Sequence, residues 1–224
     1  MKTLLILMVL LLVVFSGCSS GDQDAASQAG SQGQTEKTEE MVPAADVRQA
    51  VDHNVETCRA ATRKLAGALK SALQGAMEKE GPLGAVSVCH DEAEVISNQI
   101  CDEEGLTVGR TSRRNRNPSN APDEWEKAGL EAFDARIKAG EKPQDLEMWA
   151  TVAGPGGGRT FRYMKAIPTA PMCLFCHGGE LAGDLDAKLT ELYPGDKARG
   201  FAVGDMRGAF SVKMDLPGAA YNGG

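Results

Sequence analysis

The chain has 224 residues, 42% of them hydrophobic, with 31 acidic against 24 basic side chains, a net charge of −7 and six cysteines. That length suits one ordinary domain with its own core. The acidic balance argues against nucleic-acid binding as the main task, and the glycine-rich stretch from Gly154 to Gly158 lacks the Lys-Ser/Thr of a phosphate-cradling loop, so it reads as a hairpin turn.

Residues 1–17 read as an export signal: Lys2 supplies the positive start and Leu4 to Phe15 an apolar run too short for a comfortable membrane span. Phe15-Ser16-Gly17-Cys18 resembles the lipobox of bacterial lipoproteins, in which the cysteine is acylated and heads the mature chain. Leu is more usual than Phe at the first of those positions, so soluble secretion is the alternative. Either route puts the mature protein on the periplasmic side of a bacterial membrane, and the lipid on Cys18 makes that membrane a partner. Residues 18–44 then hold the anchor and a Ser, Gly, Gln, Ala, Asp and Glu tether with almost no apolar content. As a random coil it lets the domain, residues 45–224, range roughly 25–30 Å from its anchor.

From Asp46 the pattern turns helical. Val47, Val51, Val55, Cys58, Ala61, Leu65, Leu69, Leu73 and Met77 draw one apolar stripe, Gly81-Pro82 breaks it, and Val86, Cys89, Ala93, Ile96 and Ile100 draw a second. Two helices joined by a tight break lie antiparallel. Cys58 and Cys101 stand 23 and 20 residues on either side of Gly81, which puts them at similar heights and makes a disulfide an expectation in an oxidising compartment; two free thiols are the alternative. The long first helix also offers a face for a homodimer.

A short strand over Leu106–Arg110 is followed by Arg110, Arg113, Arg114 and Arg116, four arginines in seven residues of an acidic protein. Arginine forks suit carboxylates, and a solvated basic loop is the bland alternative. Asp123–Ala139 reads as a helix with Trp125, Leu130, Phe133 and Ile137 on one side. Glu147–Val152 and Thr160–Ile167 form a hairpin across the glycine turn, a short helix runs over Ala187–Tyr193, and Phe201–Val203 with Ala209–Met214 make a closing hairpin. The expected class is α+β: a long N-terminal helical hairpin and a small antiparallel sheet.

Between the hairpins lies Cys173-Leu174-Phe175-Cys176-His177. Two thiols two residues apart with a histidine at once behind them form the attachment signature of c-type haem, in which each thiol adds to a porphyrin vinyl group and the imidazole binds the iron. The two competing readings fit less well. A zinc site needs two further ligands at matching spacing, and a thioredoxin-like pair usually follows a strand, whereas Pro168 and Pro171 precede this one. One covalent haem c is therefore the expected cofactor, and its propionates are natural partners for the arginines.

With Cys18 assigned to lipid and Cys173 and Cys176 to haem, Cys58, Cys89 and Cys101 remain. If Cys58 and Cys101 pair, Cys89 is left on an apolar stripe that packs against something buried, which makes it a candidate axial ligand opposite His177; a small core residue is the alternative. His90 is the rival, turned about 100° round the helix toward the polar flank of Glu94 and Ser97. His53 is a weaker rival, expected on a solvated face. The methionines stay open, although Met172 is badly placed to reach the opposite face.

The segments Ala85-Val-Ser-Val-Cys89, Val108-Gly-Arg110-Thr-Ser, Arg116-Asn117-Pro118, Asn120-Ala-Pro-Asp-Glu-Trp125, Cys173–Gly178, Tyr193-Pro-Gly-Asp196 and Gly204-Asp-Met-Arg207-Gly together resemble a family of extracytoplasmic single-haem c domains with a PAS-like fold, found alone or as the sensing part of bacterial signalling proteins. The resemblance spans roughly residues 46–215. It implies a PAS-like sheet cradling one haem c and His/Cys axial ligation, with the cysteine at Cys89. Arg110, Arg116 and Asn117, which lie in these motifs, are the candidate cofactor contacts. No kinase or other output domain follows before Gly224, so signalling is expected to need a separate protein partner.

The expected function is a membrane-tethered periplasmic haem c protein sensing redox state or a small ligand such as NO or CO. With His177 and Cys89 both bound, such a gas binds by displacing one ligand, and Cys89 is the one expected to leave. The alternative is a single-haem electron carrier with a redox partner. An enzyme fits less well, because peroxidase chemistry needs an open coordination position and no acid/base pair stands out.

Overall fold

The computed structural model describes residues 43–217; the expected export signal, Cys18 and all but the end of the expected tether lie outside them, as do residues 218–224. The chain order is α1 (Ala44–Asp91), α2 (Ala93–Glu104), β1 (Thr107–Thr111), α3 (Glu124–Lys138), β2 (Glu147–Ala153), β3 (Arg159–Pro168), α4 (Leu174–His177), α5 (Gly183–Leu192) and β4 (Met206–Leu216). Among the described residues no helix is long and apolar enough to cross a membrane.

α1 is two helical arms joined at Gly81, whose backbone takes φ 66°, ψ −164°. That region is open essentially to glycine alone, and Pro82 follows where a helix start tolerates a missing N–H. The chain folds back there, so Ile96, Ile100 and Cys101 join Val55, Cys58, Ala61 and Leu65 in one apolar cluster. The helical hairpin expected from the two stripes is present. Val47, at the start of the first stripe, is instead exposed. Cys58 and Cys101 share the cluster but are free thiols, and the expected bridge is not formed. The Cys101 sulfur instead accepts the Val108 N–H at 3.2 Å.

The four strands form one antiparallel sheet in the order β1-β4-β3-β2. Val212 pairs with Val108 on one side and Tyr163 on the other. These three residues, with Phe161, turn to the helical hairpin, while Met164, Ala166 and Ala209 turn to Leu130 and Phe133 of α3. Trp125, Leu130, Phe133 and Ile137 meet the sheet as expected, and α3 starts with a capping box between Asp123 and Glu126. β3 and β4 therefore bury both faces, which single-face alternation did not anticipate.

The closing hairpin is absent. Residues 201–203 form a loop, because Gly200 and Gly204 adopt φ 68° and 91° and the Asp205 carboxylate accepts the Ala202 N–H. The loop instead packs on the C-x-x-C-H segment: Phe201 N–H donates to the His177 carbonyl and Gly200 N–H to that of Gly178, at 2.9 and 2.8 Å.

Candidate functional site

A cavity of about 440 Å³ opens between the second arm of α1, the start of α2, β1 and its following loop, α4 and the start of β4. The volume falls within the range of small-molecule and cofactor clefts. Cys89, Arg110, Arg116, Asn117, Cys173, Cys176 and His177 all line it, so the candidate ligands named from the sequence converge on one space.

α4 supplies the anchor. Pro171 opens a single 3-10 turn over Pro171–Cys173 that runs directly into α4, so Cys173, Cys176 and His177 ride on consecutive turns. His177 donates from Nδ1 to the Ala198 carbonyl at 2.7 Å, since a carbonyl can only accept. The imidazole is pushed down to about pH 3 by burial and by the charges of Arg207 and Arg116, and is neutral. Nε2 is thereby left as the lone-pair nitrogen, the arrangement of a histidine ligand oriented by its outer hydrogen bond.

Arg116 holds the collar around this anchor. Its guanidinium donates to the Cys176 carbonyl at 2.5 Å, pairs with Asp196 at 3.1 Å and reaches the Ala198 carbonyl at 3.3 Å. Asp196 in turn accepts the Ala198 N–H at 2.8 Å. Arg116 thus has a structural assignment that the expected propionate contact did not include. Its Nε remains buried without a partner, as does that of Arg207. Arg207, absent from the expected contacts, lines the cavity and is pushed down to about 10 by burial and by Arg116 and Arg110.

The Arg110 guanidinium makes no hydrogen bond or ion pair among the described residues, the residue lines the cavity, and its pKa is lowered by burial. An unpartnered cation on the wall of a cavity suits an anion. Arg113 and Arg114 do not share the cavity: Arg113 pairs with Asp134, and Arg114 donates to the Arg199 carbonyl and stacks 3.8 Å over Phe201. Asn117 lines the cavity but uses Oδ1 to accept the Ser119 N–H, capping a 3-10 turn.

Cys89, on the second arm of α1, is exposed and lines the same cavity. Burial by the walls pushes its thiol pKa up, against the lowering charges of Arg110 and Arg116. His90 lines the cavity too, with Nδ1 2.7 Å from the Asp91 carboxylate and its ring edge-on to Tyr193 at 5.2 Å between centroids. Met77 and Met172 also reach the wall, and His53 lies exposed away from it. Among the described residues no cluster of three or more His, Cys, Asp or Glu could hold a metal by itself.

The donor set therefore fits a haem: two thiols and a pre-oriented imidazole on the α4 segment, a further thiol and imidazole on α1, and Arg110 as a cation for an anionic group, all lining one cavity. Tyr193, Asp196 and Arg207 are the contributors the residue-level reading had not assigned. Their signal lay only in the motifs Tyr193–Asp196 and Gly204–Gly208.

No curated protein matches the chain at a significant level. Among solved structures it matches the crystal structure of the cyanobacterial heme-protein Tll0287, at 25% sequence identity and a TM-score of 0.54, over 77% of this chain and 98% of that one. The family model described as Tll0287-like matches residues 26–215, and the chain belongs to that family.

Proposed function

We propose that the chain is a haem-binding protein that carries one covalent haem on Cys173 and Cys176 and senses redox state, or a small gas such as NO or CO, outside the cytoplasm. When bound, the haem supplies a one-electron iron couple and a coordination position. The chain's own residues set what that group can do. Cys173 and Cys176 anchor it, His177 offers Nε2 from one wall, and Cys89 offers sulfur from the other. Arg110 takes a propionate.

The observation that carries the reading is a convergence: His177, with its Nδ1 held by the Ala198 carbonyl, and Cys89 line one cavity. Cys89 is the side chain that lets go, since nothing comparable to the Ala198 bond holds it. It stands three residues before Glu92, where α1 passes into α2, so its release is transmitted along the hairpin. The related heme-protein supports the cofactor. Lipid on Cys18 tethers the domain, a separate protein receives the signal, and no turnover is assigned.

A second reading, electron transfer, is favoured by Phe175, which lies between the two thiols and is 57% exposed. The test is the absorption spectrum of the purified protein, oxidised and reduced, with and without carbon monoxide, beside a Cys89→Ala variant. A low-spin oxidised spectrum with thiolate character that the variant loses, and carbon monoxide binding on reduction, are expected for the sensor. A spectrum indifferent to both changes contradicts it and favours the carrier, with His90 or a methionine as ligand.

A further inference from the structure

A second cavity, again about 440 Å³, lies on the outer side of α4. Pro82, Leu83, Leu174, Phe175 and Leu185 give it an apolar floor, and Glu80, Glu180 and Asp184 line it without any lysine or arginine. None of these three carboxylates has an ion-pair partner among the described residues. Leu83 and Phe175, 41% and 57% exposed, are two of the exposed large hydrophobic residues of the domain, and both open onto this groove.

Phe175 joins the two spaces. It lines the groove and also the inner cavity, so an occupant of the groove stands one side chain away from the thiols. Apolar floor, unpaired acids and proximity to the cofactor wall describe a docking surface for a protein that carries the opposite charge. Charge also removes the two nearest competitors. Residues 19–42 carry Asp22, Asp24, Glu36, Glu39 and Glu40 against Lys37, and a second copy brings a net charge of −7. Both are repelled by the carboxylates.

We propose that this groove docks a redox protein presenting an apolar patch ringed by lysine or arginine, and that one electron passes between that protein's centre and the haem past Phe175, with no bond made or broken. The inference rests on the haem reading above, and it serves the redox-sensing and the carrier readings alike.

The test uses full-length haem-loaded protein and a basic cytochrome c, of pI above about 9, as the probe, with stopped-flow rates recorded over a series of salt concentrations. A triple variant Glu80→Gln, Glu180→Gln, Asp184→Asn is compared with a control triple Asp52→Asn, Glu131→Gln, Asp145→Asn that removes the same charge from other surfaces. The groove triple is expected to slow the second-order rate about tenfold or more and to flatten its salt dependence, while the control stays near the parent. Phe175→Ala is expected to slow transfer while leaving the salt dependence intact. Equal loss in both triples, or none in either, overturns the groove while the haem spectrum stands. A chain that carries no haem absorption overturns the haem reading, and the groove proposal falls with it.

Discussion

His177 donates its Nδ1 hydrogen to the Ala198 carbonyl 2.7 Å away, and Ala198 is itself held by Asp196, which pairs with Arg116. A loop 21 residues downstream thereby orients the imidazole, and a side chain from the loop after β1 holds that loop.

Removing Arg116 tests this collar. Asp196 is nearly buried, with 3% of its side chain exposed, and its pKa is lowered because the Arg116, Ala198 and Arg199 bonds outweigh the cost of burial. Arg116→Met leaves that carboxylate short of its closest buried cation. Partial compensation by Arg199 keeps the loss at the low end for a broken buried pair, about 3 kcal/mol. Urea unfolding of the parent and variant measures it, and an unchanged midpoint contradicts the collar.

Glycine substitutions on α1 separate backbone from space. Gly81→Ala has no atom to collide with but must adopt φ 66°, ψ −164°, which costs about 1–3 kcal/mol. Gly67→Ala, in an ordinary exposed helical turn with open space, gains roughly 0.5–1 kcal/mol. Opposite signs in chemical denaturation confirm that the hairpin turns at Gly81.

Much of this was legible in the sequence and some was not. The C-x-x-C-H pentapeptide, both stripes of the helical hairpin and the apolar side of α3 were readable because each is a local, periodic pattern. The loop over residues 201–203 was misread as a strand, since Phe201 and Val203 look like one while the positive φ of Gly200 and Gly204 is a backbone property. The arginine cluster read as one feature divides by contact: Arg110 and Arg116 line the cavity, whereas Arg113 and Arg114 find their partners elsewhere. Arg207 arrives from β4 almost a hundred positions later, and no spacing rule joins it to Arg110.

Thiol accessibility follows from burial. Cys58 is fully buried, and burial alone pushes its thiol up to about 12. It is expected to stay silent to a disulfide-exchange reagent in the native protein and to react, together with Cys101, once the chain is unfolded without reductant. Failure of both to appear on unfolding would restore the bridge.

Acid stability carries a signature from Asp123. Burial opposes its charge, but hydrogen bonds from Arg162, the Glu126 N–H and Lys213 prevail and lower it to about 2. A depressed carboxyl contributes stability that is fully present above its unfolded value of about 3.9 and is lost as pH falls through about 2. The urea midpoint is therefore expected to fall between about pH 5 and pH 2, more steeply in the parent than in Asp123→Asn. Equal slopes would contradict the assignment.

The central claim is a haem joined to Cys173 and Cys176 across from Cys89. The most direct measurement is haem retention after full denaturation and acid-solvent extraction of protein from an exporting, haem-maturing host, followed by intact mass. The account predicts one haem that stays with the chain and is lost in Cys173→Ser/Cys176→Ser. Haem that extracts freely from the parent, or that remains on the double variant, would contradict it.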